Sequence, residues 1–558
     1  MLFLLSYGRQ DLNMVKMRGA KAVVSSLQRE GIECVFGLPG VQIMQLYDAF
    51  HGQEDIRLIT TRHEQAAAYM ADGYVRTQNA PTAAALVVPG PGLQNASAGI
   101  GTAFACSSPV LTLSGQIDTA AIDKGFGYIH EIENQLDVIR PIVKWCDQVT
   151  LPKNIPAAIH TAMTEMKSGR PQPTVIEIPP DTLAAEEDIT LSPPAQYHRQ
   201  IPEAESITEA AKLLSEAKKP LIWIGGGVLR SGASQELQQL AEATNIPVVT
   251  TPEGKGAIPE NHRLFGGVGY FGHGPASWYT PKADVILAIG TRFTDQMRGL
   301  TALKPPQQLI HIDADPGVIG RNYPAKVAIT ADAKEALRNL MAVTDQHNWE
   351  EKWTPNERKI ITEESDAWLN EHASLQGKII KDIQSVVDDN AIIVSGLTNV
   401  GYWSHLYYKV LHPYCYHTPS YYGTLGYAFP FALGAKLAAP NQQVICLSGD
   451  GGFAYCLSEL ATAVQHSINV IAMVFVDDVF GASNVDQQIR FSNRVIGTEL
   501  HNPDFVKLAQ AFGARGLKAT PDTIQASLNE AISYNQPTII EIKMPVLPSP
   551  ARITPRTA

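Results

Sequence analysis

Two aspartates follow two apolar runs in the last third of the chain. Asp450 follows "QQVICLSG", residues 442–449, and Asp477 follows "NVIAMVFV", residues 469–476. Between the runs, "LSELATAVQHS" has its apolar residues at helical spacing. Two neighbouring parallel strands would therefore end in carboxylates at one edge of a sheet. Such a pair favours a divalent cation, and oxygen ligands beside a diphosphate favour Mg²⁺.

The neighbours of Asp450 are glycines. Gly449, Gly451 and Gly452 carry no side chain, so a phosphate could approach the backbone closely there. The alternative is an ordinary turn with solvated, helix-capping aspartates, which is the commoner meaning of an isolated Gly-Asp-Gly. The strand-helix-strand context favours the metal site.

Glu64 is the third candidate acid. It lies in "TTRHEQAAAYMADGYVR", residues 60–76, where a strand ends and an alanine-rich helix begins. Helix N-termini favour carboxylates, so a dipole-compensating or capping-box glutamate is the structural alternative. A buried carboxyl at such a place can keep or share a proton near neutral pH.

These acids have to be positioned by βα units. Short apolar runs such as "TAAALVV" (82–88) and "ADVILAIG" (283–290) alternate with amphipathic stretches throughout. That rhythm predicts an α/β fold with three doubly wound parallel-sheet domains, whose ligands bind at the carboxyl ends of the strands. A Pro-rich, acidic stretch at 179–205 and a polar one near 345–370 separate the blocks. The predicted domains are residues 17–185, 205–345 and 370–545.

Composition narrows the class of partner. The chain has 558 residues and a net charge of -11 without a basic cluster, so nucleic acid is not an expected partner and small molecules are. The 6 cysteines form no CxxC pair, which argues against a disulfide framework or a zinc site and fits a reducing cytoplasm. With no signal-peptide pattern and no long apolar run, we expect a cytoplasmic protein without a membrane segment.

The motifs together resemble the thiamine diphosphate (ThDP) dependent decarboxylases and carboligases, most closely acetolactate synthase large subunits. "FGLPG" (36–40), "PGPGLQNASAGIGTAF" (89–104), "RPIVKW" (140–145) and "GDGG" occur in the family's order. The resemblance implies ThDP and Mg²⁺ as cofactors. It covers roughly residues 17 to 545.

The resemblance also implies a ligand set for the metal. "VDDVFG", which ends at Gly481, matches the family's Asn-pair segment. Asp450, Asp477 and the carbonyl of Val479 then correspond to the three protein ligands. Val476 and Asp477 replace the usual two asparagines, and the second change adds a negative charge at the metal.

Other residues receive roles from the same resemblance. Glu64 corresponds to the glutamate that bonds the aminopyrimidine ring nitrogen of the cofactor and activates it. His130, in "GYIHEIENQ", stands where a group facing the thiazolium is expected, and it is either an acid-base group or a structural histidine.

The cofactor cradle is implied by two further segments. In "SYYGTLGYAFPFALGAK", residues 420–436, the Gly423 carbonyl would accept the cofactor's amino group and Leu425 would bend the cofactor. In "VSGLTNVGYWS", residues 394–404, Thr398 and Asn399 could donate hydrogen bonds to the diphosphate.

The middle block carries "GGGVLRSGA" (225–233) and "GTRFTDQ" (290–296). These segments are similar to the domain that holds a non-redox FAD in acetolactate synthases. A Gly-rich turn alone is a weak dinucleotide signal, so FAD is left open and is not claimed. The resemblance implies a homodimer at minimum and commonly a homotetramer, with the glutamate block of one subunit meeting the diphosphate block of another.

The expected activity is decarboxylation of a 2-oxo acid such as pyruvate, with transfer of the acyl group to a carbonyl acceptor. Gln296 and Asp486 replace the Arg and Trp that select the second oxo acid in acetolactate synthases, which leaves the substrates open. The alternatives are a ThDP enzyme acting on another substrate such as an acyl-CoA, a non-catalytic ThDP-binding homologue and, least favoured, a nicotinamide dehydrogenase.

Overall fold

The computed structural model describes residues 14–78, 82–294 and 308–553. It contains three six-stranded sheets, each with all of its strands parallel, and a small two-stranded antiparallel sheet. The predicted α/β architecture with three parallel-sheet domains is confirmed. Gln296 lies outside the described residues.

The N-terminal sheet has the strand order β3-β2-β4-β5-β7-β6. Its strands, with the antiparallel pair β1 and β8, are β1 (Val15–Arg18), β2 (Cys34–Gly37), β3 (Arg57–Thr60), β4 (Ala83–Val87), β5 (Leu111–Gly115), β6 (Trp145–Gln148), β7 (Thr174–Ile178) and β8 (Glu186–Ile189). Its helices are α1 (Gly19–Arg29), α2 (Met44–Phe50), α3 (Glu64–Arg76), α4 (Pro91–Ala105), α5 (Gln135–Ile139), α6 (Ile155–Lys167) and α7 (Pro180–Ala184).

The central sheet has the order β11-β10-β9-β12-β13-β14. Its strands are β9 (Pro220–Ile224), β10 (Val248–Thr250), β11 (Phe265–Val268), β12 (Val285–Ile289), β13 (Gln308–Asp313) and β14 (Val327–Thr330). Its helices are α8 (Ala204–Glu216), α9 (Gly226–Arg230), α10 (Ser234–Thr244), α11 (Ala276–Tyr279) and α12 (Ala333–Ala342).

The C-terminal sheet has the order β16-β15-β17-β18-β20-β19. Its strands are β15 (Ile392–Ser395), β16 (Tyr416–His417), β17 (Val444–Gly449), β18 (Ile471–Val476), β19 (Arg515–Ala519) and β20 (Thr538–Lys543). The helices of this part are α13 (Pro355–Gln384), α14 (Asn399–Tyr407), α15 (Ala428–Ala438), α16 (Asp450–Ala454), α17 (Glu459–Gln465), α18 (Gly481–Arg490), α19 (Phe505–Phe512) and α20 (Ile524–Tyr534).

The segments between the sheets differ in part from the sequence expectation. Residues 190–203 carry no helix or strand, as the Pro-rich composition predicts. The earlier part of that stretch nevertheless forms α7 and β8, because β8 pairs only with β1 and a two-stranded edge tolerates the nearby prolines. The boundary proposed at residue 370 falls within α13, which bends at Ala373.

The N-terminal and C-terminal domains share one apolar core, and α3 and α15 cross at its centre. The crossing is close because glycines lie at it on both helices. A methyl group on Gly434 would overlap the carbonyl oxygen of Met70, and one on Gly73 would overlap that of Phe431. At each of these two points the helix backbones can touch because the residue of one helix is a glycine, which has no side chain.

We predict that Gly434→Ala destabilises the protein by about 1–3 kcal/mol, the usual cost of overpacking a dense core. Thermal unfolding followed by calorimetry measures this as a lower melting temperature. Gly317→Ala is the matched control, since Gly317 lies in a loop where the nearest atom to an added methyl is Asp315 Oδ1 at 3.2 Å. An unchanged melting temperature for Gly434→Ala would contradict the close crossing.

Candidate active site

The two predicted aspartates lie at one edge of the C-terminal sheet. β17 and β18 are parallel neighbours, with Gly449 opposite Phe475 in the register. Asp450 therefore leaves β17 at the level where β18 ends, and Asp477 follows the last residue of β18.

Asp450 is held firmly, with 2% of its surface exposed. Its Oδ2 accepts hydrogen bonds from the backbone N–H of Asp478 at 2.9 Å and from Asn502 Nδ2 at 2.7 Å. Its Oδ1 accepts the N–H of Gly451 at 2.8 Å. Burial raises the pKa of Asp450, and these hydrogen bonds oppose the rise. Asn502 belongs to no sequence motif that we recognised.

Asp477 is half-buried, and its carboxylate accepts its own backbone N–H and, at 3.4 Å, a long hydrogen bond from the N–H of Val479. Burial and, next, the charge of Asp450 raise the pKa of Asp477 to about 6. Among the described residues no lysine or arginine forms an ion pair with Asp477. Asp478 differs, because a hydrogen bond from Lys543 at 2.8 Å lowers its pKa. Within the described chain, the pair of Asp450 and Asp477 thus has no ion-paired lysine or arginine, which is the electrostatic setting that a bound metal would satisfy.

The glycines beside these acids leave an open cradle. A methyl group on Gly452 would lie 3.7 Å from Leu425 Cδ2, and one on Gly449 would lie 3.2 Å from Thr398 Oγ1. Leu425 and Thr398 therefore reach the "GDGG" turn from two other segments of the same domain. The surroundings suit a phosphorylated ligand, since the floor is glycine backbone and the wall is apolar.

Two further glycines belong to the cradle. Gly481 begins α18, and a methyl group on it would lie 3.0 Å from Asp477 Oδ2. Gly423 has a φ of 61°, a left-handed conformation that favours glycine, and nothing lies within 3.8 Å of an added methyl. Its backbone carbonyl is thus in an exposed, uncrowded loop.

Asn399 is placed differently from the sequence expectation. Its Nδ2 donates to the carbonyls of Leu547 and Pro548 at 2.8 and 3.1 Å, and its Oδ1 accepts from Gln376 Nε2 at 2.9 Å. Both ends of the side-chain amide are engaged within the chain, so a hydrogen bond from Asn399 to a diphosphate stays a prediction that its backbone N–H would have to fulfil.

Glu64 is the first residue of α3, directly after the turn that follows β3. His63, not Glu64, caps the helix, because its Nδ1 accepts the N–H of Gln65. Glu64 Oε2 accepts from Asn95 Nδ2 at 3.1 Å, and Oε1 lies 3.7 Å from where a methyl on Gly92 would be. The carboxylate is partly exposed in a single chain, so its complete burial would need a further partner.

His130 lies at the same edge of the N-terminal sheet as Glu64. Its carbonyl abuts Gly90, which precedes α4, the helix that carries Asn95. His130 has a φ of 69°, and its buried Nδ1 has no hydrogen-bond partner within the described chain. The loop before it exposes apolar side chains, namely Phe126, Tyr128 and Ile129.

A cavity of about 330 Å³ lies where the central domain meets the other two. The glycines 225–227 and residues 290–293 line it, together with Arg170 and Glu253. Burial raises the pKa of Asp313, another lining residue, to about 6. The arginine and the glycine turns could hold the phosphates of a nucleotide and Asp313 its sugar hydroxyls.

None of the helices in the described part of the chain combines the length and the apolar character needed to cross a bilayer.

Comparison of the sequence with family models identifies the family of the chain. Three family models match in order: the N-terminal TPP binding domain of thiamine pyrophosphate enzymes at residues 17–140, their central domain at 207–340 and their C-terminal TPP binding domain at 396–542.

Relatives match over almost their whole length. The probable acetolactate synthase large subunit of Methanocaldococcus jannaschii is 36% identical, over 96% of this chain and 95% of its own. The acetolactate synthase isozyme 3 large subunit of Escherichia coli is 32% identical over 93% of both chains. A probable 2-ketoarginine decarboxylase of Pseudomonas aeruginosa is 31% identical over 94% of both chains. The resemblance read from the motifs is thereby confirmed, and the chain belongs to the thiamine pyrophosphate enzyme family.

Proposed function

We propose that this enzyme uses ThDP and Mg²⁺ to decarboxylate a 2-oxo acid such as pyruvate and to transfer the remaining acyl group to a second carbonyl. The observation that carries the proposal is the pair of Asp450 and Asp477, which faces a glycine cradle without a protein cation. Relatives named as acetolactate synthase large subunits support the substrate class.

Different residues of the cradle would bind the metal ion and the diphosphate. Asp450, Asp477 and the carbonyl of Val479 would hold Mg²⁺, and the glycine turn with Thr398 would receive the diphosphate. When bound, ThDP supplies the carbanion chemistry that breaks the bond to the carboxylate. Leu425, 3.7 Å from the methyl position of Gly452, would support the bent shape of the cofactor.

Glu64 would exchange a proton with the aminopyrimidine ring nitrogen of a cofactor bound by a second subunit. The exposed apolar side chains on the Glu64 edge, Phe126 and Ile129 among them, support burial against another copy of the chain. We therefore propose a homodimer at minimum, with a tetramer as the form that the resemblance implies. His130 would face the substrate from the same subunit as Glu64.

Decarboxylation without transfer is the second candidate. One relative is named as a 2-ketoarginine decarboxylase. At the position where a Trp selects the second oxo acid, Asp486 instead bonds Arg552 at 2.8 Å and Arg490 at 3.3 Å. An ion pair there does not offer the apolar surface of a Trp to an acceptor.

The function is tested with purified protein, ThDP, Mg²⁺ and a panel of 2-oxo acids that includes pyruvate and 2-ketoarginine. Carbon dioxide and condensation products are recorded separately. We expect both from pyruvate. Carbon dioxide with only an aldehyde would favour the second candidate, and no turnover of any 2-oxo acid would contradict both.

In the same assay, Glu64→Gln should lower kcat by about 10²–10⁴-fold, the usual contribution of a positioned acid-base group. ThDP binding should be retained, because the change removes one proton-exchanging group and no cradle residue. Glu186→Gln is the matched control, since that exposed glutamate pairs with Lys16 and Arg18 on the antiparallel strand β1, away from the cradle. Activity of Glu64→Gln equal to the parent's would refute the assigned role.

A site shared between subunits predicts complementation. Glu64→Gln and Asp450→Ala should each be inactive alone. Co-expressed, they should regain about a quarter of the parent's activity, because half the dimers are mixed and each mixed dimer has one intact site. No recovery in a mixture shown by mass spectrometry to contain mixed dimers would place both residues in one chain's site.

The metal ligands are tested by cofactor retention. Asp450→Ala and Asp477→Ala should weaken Mg²⁺-dependent ThDP binding, measured by calorimetry, about tenfold or more, while Asp477→Asn keeps an oxygen ligand and binds. Asp478→Asn is the control, because its carboxylate turns to Lys543. Equal retention by the parent and both alanine variants would exclude this metal site.

A further inference from the structure

Glu459 begins α17, and its carboxylate is fully buried although it lines no part of the cradle. Its two oxygens accept the backbone N–H of Arg62 at 3.0 and 3.2 Å. The N–H of His63 also donates to it, and Thr462 Oγ1 donates to Oε2 at 2.6 Å. A glutamate of the C-terminal domain thus bonds the backbone of the N-terminal domain.

The bonded residues form the turn that delivers Glu64. Residues 61–63 connect β3 to α3, whose first residue is Glu64. N–H groups at a helix start have no acceptor within the helix, so an outside acceptor decides how the chain enters it.

Thr462 and Gln465 of α17, and His466 directly after it, also contact residues 60–62. We call these three residues together with Glu459 the clamp. Gln465 Oε1 accepts from Arg62 Nη2 at 2.6 Å. His466 Nε2 accepts the N–H of Thr60 at 3.3 Å, and Thr462 Oγ1 lies 3.4 Å from the Thr60 carbonyl oxygen. Glu459 is the charged member of this clamp and the one nearest in sequence to the helix start of α17.

We propose that Glu459 is a positioning residue for Glu64, and that it holds the turn before α3 only while its carboxylate is ionised. The inference rests on the proposed proton-exchanging role of Glu64. It adds a second acid, in another domain, whose charge state decides where the first one lies.

Burial raises the pKa of Glu459 to about 7, against the hydrogen bonds from Thr462 and Arg62 and the positive charge of Arg62. The other titratable groups around it are the Cys456 thiol and the His466 ring, which bonds the same turn. Below pH 7 the carboxyl is protonated and one oxygen becomes a donor. The donors on residues 62, 63 and 462 then compete for fewer lone pairs, so the turn loosens.

The free energy of unfolding depends on the protonation of Glu459 in the opposite sense: protonation stabilises the folded protein although it loosens the turn. An acid whose pKa is raised by folding binds more protons in the native state than in the unfolded state between its two pKa values. Its contribution to stability is therefore lost as pH rises through about 7. Global unfolding hydrates the carboxyl, whereas the loosened turn keeps it buried with fewer donors to its ionised form, so protonation favours the loosened turn without favouring unfolding.

Hydrogen-deuterium exchange of the intact protein without cofactor tests the proposal. In the parent, a peptide covering residues 60–66, corrected for intrinsic rates, should lose protection about tenfold from pH 8 to pH 6, since a carboxyl of pKa 7 is then largely protonated. In Glu459→Gln the peptide should be weakly protected at both pH values. Protection of Glu459→Gln equal to the parent's at pH 8 would overturn the proposal.

Two further variants keep the test decisive. Thr462→Val removes one donor and leaves the carboxylate, so the loss of protection should begin at a higher pH than in the parent. Glu541→Gln is the matched control, because Glu541 is another buried glutamate of this domain and accepts the N–H of Phe505 at 3.0 Å. It should leave the peptide unchanged. An unshifted transition in Thr462→Val would count against Glu459 as the titrating group.

The pH profile of kcat/KM connects the clamp to Glu64. The parent should lose about tenfold in kcat/KM from pH 8 to pH 6, and Glu459→Gln should be low and flat there while ThDP binding stays within about twofold. The exchange measurement involves no substrate, so it stands even if Glu64 proves not to be catalytic. Loss of activity in Glu64→Gln stands even if the exchange result fails.

Discussion

The close crossing of α3 and α15 is the constraint on which the arrangement of the sites depends. Glu64 begins α3, and Leu425 lies in the loop that leads into α15. Because Gly73 and Gly434 let the two backbones touch, the acid-bearing helix and the cradle loop are fixed relative to each other inside one shared core. Tyr69 OH, bonded to Thr424 Oγ1 at 2.8 Å, adds a polar link beside Leu425. The N-terminal and C-terminal domains are thus oriented by direct packing against each other.

The buried and half-buried acids differ in their electrostatic surroundings, and their proposed roles differ accordingly. Asp450 and Asp477 face each other without a protein cation, whereas Asp478 is turned to a lysine only one position away. Among the described residues no lysine or arginine side chain forms an ion pair with Glu459, whose carboxylate is instead satisfied by N–H and O–H donors. Burial raises the pKa of the first pair and of Glu459 alike, yet only the pair opens onto glycine backbone, where a metal and a diphosphate could enter.

The sequence allowed the sheets, the strand-end acids and the glycine turns to be predicted, because parallel strands bring their carboxyl ends to one edge whatever the loops do. The side-chain contacts of Asn399 could not be predicted, since a helix-start amide looks the same whether it faces a ligand or, as here, the chain's own residues 547 and 548. Asn502 was missed because Asp450, which it bonds, is 52 residues away, and Glu459 because the backbone that it bonds belongs to another domain. Contacts of that kind leave no local pattern.

The segment after β20 has a practical consequence. Its carbonyls bond Asn399, Trp403 and His273, and Arg552 reaches Asp486 on α18, so it threads from the C-terminal domain to the central one. Shortening the recombinant chain before residue 547 would remove acceptors from three side chains at once and one of the two arginines that pair with Asp486. An affinity tag is accordingly better fused at the opposite end of the polypeptide.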